Sequence, residues 1–227
     1  MPIHRRLAKS ARTTLVTTEE WQALVQSWGA ASDILHEPPP SWTVKDPPDL
    51  HPNAGDHGGA DAQPATVLFV GTFAGDEPVE EVVEAARLLD GVEVLITGDL
   101  DRRPPSLPAG APQNVVFTGF LRGEDYRRTI ESAHVVVALT TEPTSVMRAA
   151  YEAVWAGRPV VLSETRVLRR LFPGATFALN DRESLRAAIT EVLNNYEAAC
   201  SGLTEARQIQ GKRWDSQAEM LRSHLDP

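Results

Sequence analysis

The 227-residue sequence has a single cysteine, Cys200, which excludes an intramolecular disulfide and any zinc site built on several thiolates. No apolar run approaches the roughly 20 residues that span a bilayer, so no membrane span is expected. The basic opening MPIHRRLAKSARTT is followed by no signal-peptide apolar core, and the expected location is cytoplasmic. Positive charge is in deficit, with 22 Lys and Arg against 31 Asp and Glu and a net charge of −9. Non-specific nucleic-acid binding needs a basic surface that displaces counterions, so nucleic acid is not an expected partner. The six histidines are scattered without a His-x-x-x-His spacing, and His51 and His57 lie in a Pro/Gly/Asp stretch read as solvated loop. No Asp-x-Asp pair is read as metal-binding either, and neither metal nor cofactor is expected.

What is present is a globular composition, 42% hydrophobic and 23% charged, arranged in three textures. Residues 1–36 read as a helix end, a short strand (TTLVTT), a helix (EEWQALVQSWGA) and a second short strand (SDILHEP). Trp21, Leu24, Val25 and Trp28 keep the i, i+3, i+4, i+7 spacing of one apolar face. A strand–helix–strand fragment of this size is too small to close a core alone. Residues 37–65 are rich in Pro, Gly, Asp and His without apolar periodicity and read as a flexible linker.

Residues 66–227 alternate strand and helix. TVLFVGT, VEVLITG, NVVFTGF, HVVVALT, PVVLSE and ATFALN are strand runs, separated by PVEEVVEAARLL, EDYRRTIES, SVMRAAYEAVWAG and RVLRRLFP and followed by ESLRAAITEVLNNYEAA. Continuous apolar strands joined by helices imply right-handed crossovers and an α/β fold, a Rossmann-like parallel sheet with helices on both faces. In such folds a loop between a strand's carboxyl end and a helix is where phosphates are held. TTEPTSVMRAAYEAVWAGRPVVLSE, residues 140–164, has that order, with a hydroxyl-rich loop ahead of the helix that carries Glu152.

Four segments carry a family resemblance: VGTFAGDEP, NVVFTGFLRGEDYRRTIESAHVVVALT, TSVMRAAYEAVWAGRPVV and KRWDSQAEMLRSHL. They resemble the carboxyl-terminal, donor-binding domain of the group 1 (family four) glycosyltransferases, in which two Rossmann-like domains face each other. Residues 1–36 resemble the last helix–strand units of that family's amino-terminal domain, and residues 212–225 its closing helix. The resemblance implies retaining, metal-independent transfer of a sugar from a nucleotide diphosphate sugar to an acceptor hydroxyl. It implies a donor site at Gly71, Thr72, Phe120, Leu121, Thr140, Thr141, Thr144, Ser145, Val146, Arg148 and Glu152. Glu152 aligns on the second of the family's paired glutamates, and accepting bonds from the donor ribose hydroxyls is its implied role. Phe120 and Leu121 would lie near the base or pack at a strand end, and Thr140 and Thr141 would bond the sugar or cap a turn.

Two departures stand out. The first glutamate of the pair aligns on Thr144, and the Arg and Lys that neutralise the diphosphate align on Thr72 and Glu77. Amides of the Thr144–Ser145–Val146 turn and the Arg148 guanidinium are the candidate substitutes. Most of the acceptor domain has no counterpart here. Three alternatives follow: a truncated version, a separate acceptor-domain protein that supplies the missing half, or lost activity; in each of them Trp21, Trp28 and Trp214 are expected to be exposed, as a patch for a partner or for a homodimer. The alternative function is a non-catalytic nucleotide-sugar-binding or assembly module; a nucleotide-sugar epimerase of the same architecture is a third reading.

Overall fold

The structure, a computed structural model, describes residues 3–42, 64–104, 107 and 110–225. Most of the segment read as a linker, including His51 and His57, lies outside the described residues. The chain divides into two compact units, Met1–Pro39 with Arg207–Pro227, and Pro40–Ala206.

The smaller unit holds α1 (Ile3–Ser10), β1 (Thr14–Val16), α2 (Glu19–Ser27) and β2 (Ser32–Ile34), with β1 and β2 parallel. Thr18 caps α2, its hydroxyl accepting the Trp21 amide at 3.3 Å, and Gly29 at φ 75° ends the helix region in the left-handed conformation. The buried core is small: Ala8, Val25 and Ala30, with Val16 and Trp28 packed against them. Polar bonds add to it. Asp33 accepts from Thr13 Oγ1 at 2.7 Å and pairs with His224 Nε2 at 2.9 Å, and the His36 amide donates to Gln217 Oε1 at 3.0 Å. Of the three tryptophans expected at an exposed face, only Trp21 is exposed; Trp28 and Trp214 are half-buried. Trp28 owes this to α1, whose His4 ring lies 5.1 Å away and whose Arg5 guanidinium covers it.

The larger unit is a six-stranded, wholly parallel sheet in the order β5-β4-β3-β6-β7-β8. Its strands are β3 (Ala65–Phe69), β4 (Val92–Thr97), β5 (Val115–Gly119), β6 (Val135–Ala138), β7 (Val160–Ser163) and β8 (Thr176–Ala178). The connecting helices are α3 (Val79–Ala86), α4 (Gly123–Ser132), α5 (Arg148–Ala156), α6 (Arg166–Leu171) and α7 (Arg182–Asn194), and α8 (Tyr196–Leu225) closes the chain.

Successive strand side chains point to opposite faces, and the buried residues sort accordingly. Val67, Phe69, Val135, Val137 and Val161 join a core with α3 and α7, whereas Leu68, Val136, Ala138, Val160 and Leu162 join a second core with α4, α5 and α6. Each continuous apolar run therefore serves two cores, which is why alternation is missing from the sequence. Helices do cover both faces. Gly157, at φ 71°, ends α5 in a left-handed turn that leads straight into β7. Among the described residues no helix is long and apolar enough to cross a membrane.

Candidate functional site

The chain runs β3, β4, β5 toward one sheet edge and then returns to lay β6 beside β3. That reversal leaves a crevice at the carboxyl ends of β3 and β6, the position where open α/β sheets bind ligands. A cavity of about 830 Å³ lies here. Its walls are the loop after β3, the turn after β5, one side of α4 and the entry to α5, with Trp42 closing one side.

The loop after β3 is tightly built. A Cβ on Gly71 would sit 2.5 Å from a ring carbon of fully buried Phe69, so only glycine fits. The Gly71 amide donates to Thr97 Oγ1 at 3.1 Å. Phe73 has φ 57°, a left-handed conformation that costs a non-glycine residue on the order of 1–2 kcal/mol. Burial of its ring, 6.5 Å from that of Phe117 and against Gly98, where no Cβ would fit, offsets that strain. With Phe73 so turned, the Thr72 and Ala74 amides converge on one acceptor, the Glu77 carboxylate, at 2.8 and 3.1 Å. Thr72 Oγ1 adds a third bond at 3.1 Å.

Asp76 ties this loop to the end of β6. Its carboxylate accepts from Thr140 Oγ1 at 2.7 Å, and its carbonyl accepts from the Thr141 amide at 2.7 Å and the Thr141 hydroxyl at 3.2 Å. Thr140 is buried, and its amide bonds Ser163 Oγ at 2.9 Å. The hydroxyls of Thr140 and Thr141 thus brace the loop, and neither residue lines the cavity; nor does Thr144.

Helix α5 begins at Arg148, three residues later than the sequence suggests, because Ser145 is spent on a turn, its amide donating to Glu142 O at 3.2 Å. Met147 at the cap makes no side-chain bond. The first-turn amides of Arg148 and Ala149 have no intrahelical acceptor by the geometry of a helix, and both residues line the cavity. One turn on, Glu152 is 5% exposed. Its Oε2 accepts from Tyr126 Oη at 2.6 Å and its Oε1 from Arg148 Nε at 2.9 Å. Burial, then the Glu152 charge, drive the Tyr126 hydroxyl well above the usual tyrosine range. Arg148 was expected as a phosphate cation; its Nε is committed to Glu152, although its side chain is 66% exposed.

Of the expected site residues, Gly71, Thr72, Phe120, Leu121, Ser145, Val146, Arg148 and Glu152 are brought together around the cavity. Phe120 is 56% exposed and stacked under the Arg122 guanidinium at 5.1 Å, an apolar plate at the rim. Sequence reasoning missed Tyr126, whose partner is 26 residues away, and Trp42, an isolated aromatic at the edge of a segment read as linker. Among the described residues the lining carries four acidic side chains, Asp76, Glu77, Glu124 and Glu152, against two basic ones, Arg127 and Arg148. Arg127 is itself paired with Glu124 at 2.7 Å.

An Asp-x-Asp spacing does occur, at Asp99 and Asp101. It belongs to the turn after β4, where Asp99 caps the Asp101 amide at 3.1 Å, and it does not line the cavity. Among the described residues no group of three or more His, Cys, Asp or Glu is placed to hold a metal ion.

A family model described as glycosyl transferases, group 1, matches residues 64–195, more than half of the chain. The chain belongs to the group 1 glycosyltransferases. No curated protein matches it by sequence. Among solved structures, this glycosyltransferase chain is similar to Anabaena Alr3699/HepE in complex with UDP and glucose. The identity is 16% and the TM-score 0.71, over 97% of this chain and 66% of that one. Sucrose-phosphate synthase of Thermosynechococcus elongatus gives 21% and 0.68, over 98% of this chain and 60% of that one. A glycosyltransferase of Rickettsia africae gives 13% and 0.65, over 92% and 62%. At such identities the likeness is one of fold, and the chain spans about two thirds or less of these proteins' lengths.

Proposed function

We propose that the larger unit is the donor-binding part of a glycosyltransferase that moves a sugar from a nucleotide diphosphate to an acceptor hydroxyl. The observation that carries this reading is Glu152, a buried carboxylate held by Tyr126 and Arg148 at the wall of the switch-point cavity. A carboxylate there suits the two adjacent hydroxyls of a ribose. The rim at Phe120, Leu121 and Trp42 suits a base, and the uncapped start of α5 suits a phosphate. The Anabaena relative, solved with UDP and with UDP-glucose, makes uracil the first base to try. Retention of configuration and independence of metal belong to this reading, as does a partner, an acceptor-domain protein or a second copy, where the acceptor half lies outside this chain.

A second reading, a nucleotide-binding or assembly module without transferase activity, draws support from one specific observation. The loop amides that would meet the diphosphate already hold Glu77, and acidic groups outnumber basic ones among the described residues of the lining. Calorimetric titration with UDP, GDP and their sugars, with and without EDTA, tests the first reading. Micromolar binding of one base that is lost in Glu152→Ala supports a donor site. Unchanged affinity in that variant removes the ribose role of Glu152, and no binding at millimolar nucleotide favours the module.

A further inference from the structure

Backbone amides that converge from either side of a left-handed residue form a concave nest that binds anions. The segment Thr72–Phe73–Ala74 is such a nest, with Phe73 at φ 57° and two amides plus a hydroxyl directed at a single carboxylate. The anion it holds comes from the same chain, five residues beyond Thr72. The strain at Phe73 and the steric requirement for Gly71 show that this is a built feature and not a slack loop. Nor is Glu77 a stray surface acid. It is half-buried, lines the cavity, and opens the chain toward α3 with its own amide bonded to Ala74 O at 3.0 Å.

We infer that Glu77 is a specificity-determining residue of the donor site: its carboxylate and a ligand phosphate compete for the same loop amides. The inference rests on the donor reading given above and deepens it. An anion nest accommodates one anion at a time, since two like charges sharing the same donors repel across a partly desolvated cavity. Among the described residues no cation lies among the donors bonded to Glu77 to accept the second charge. A nucleoside therefore binds without disturbing the loop, and a phosphate that takes these loop amides in addition to the start of α5 must expel Glu77. Glu77 consequently weakens diphosphate binding relative to the same site without its charge, while the start of α5 stays open to a phosphate.

The test compares uridine with UDP, and guanosine with GDP, by calorimetry on the full chain, Glu77→Ala and Glu77→Gln. The glutamine keeps a carbonyl oxygen for the amides and removes the charge. The expected result is a gain in diphosphate affinity of at least about tenfold in Glu77→Ala, the scale of one charge-assisted hydrogen bond. Glu77→Gln should gain in the same direction, with nucleoside affinity within about twofold of the parent in both. A diphosphate affinity that stays level or falls while the nucleoside still binds overturns the inference and leaves the donor reading standing. Nucleoside and diphosphate weakening together mark Glu77 as a loop brace only. Failure of every ligand to bind all three chains overturns the donor reading, and the inference with it. Tryptophan fluorescence reports folding, and if Glu77→Ala does not fold, Glu77→Gln carries the test alone.

Discussion

Replacing Tyr126 by Phe isolates the contact that holds Glu152. The ring and its packing remain, and only the hydroxyl that donates to Glu152 Oε2 at 2.6 Å is lost. Hydrogen bonds to charged groups contribute about 1.5–3 kcal/mol. The lower end applies here, because the cavity admits water to the orphaned oxygen and Arg148 still serves Oε1. About 1.5 kcal/mol lost from a unit of this size lowers Tm by about 3–6 °C. Thermal unfolding and urea titration of the parent, Tyr126→Phe, Glu152→Gln and the double variant give the coupling directly. Coupling above about 0.5 kcal/mol is expected of groups in contact; a value below about 0.3 kcal/mol, indistinguishable from additivity, would refute the assignment of this bond. The pH dependence has a fixed sign as well. Tyr126 is raised in the folded state, so its contribution is complete below pH ~10, where the unfolded tyrosine starts to ionise, and is lost as pH climbs. Tyr126→Phe should flatten that alkaline loss.

Gly71→Ala should lower stability by about 1–3 kcal/mol, the usual range for overpacking, because the buried Phe69 ring cannot retreat from the added methyl; an unchanged urea midpoint would show that the loop yields freely. Tyr196, pushed up to about 12 by burial, should add a loss of stability between pH 10 and 12 that disappears in Tyr196→Phe, as read by denaturation across that range. His134 is lowered by burial and then by the Arg158 charge, so its contribution is present above pH ~6.5 and is lost as pH falls through its depressed folded value. His134→Asn should make the acid limb of the stability profile shallower, and an identical limb would dismiss that group as its source.

The sheet and its helices were legible in the sequence because burial on both faces leaves a local trace: strands such as HVVVALT are apolar throughout, and Gly157 marks the end of α5. The face that Gly71, Phe120, Leu121 and Glu152 share was legible only through family resemblance, since each lies at the end of a different element. Start positions were less so. The first turn of α5 slips to Arg148 because a turn bond from Ser145 to Glu142 competes with helix formation, and propensity alone does not weigh the two.

What the sequence determined by itself is the α/β alternation, the two-sided burial of the strands and the exclusion of an intramolecular disulfide, all properties of short windows or of composition. What only tertiary structure decided is which charges meet. Glu152 finds Tyr126 from the neighbouring helix, Thr140 spends its hydroxyl on Asp76 from a loop 64 residues earlier, and Glu77 turns into the nest formed by Phe73. Short-range periodicity encodes which side of an element is buried. The partner of a polar group depends on where separate elements end in space, and that is set by sheet order and strand register.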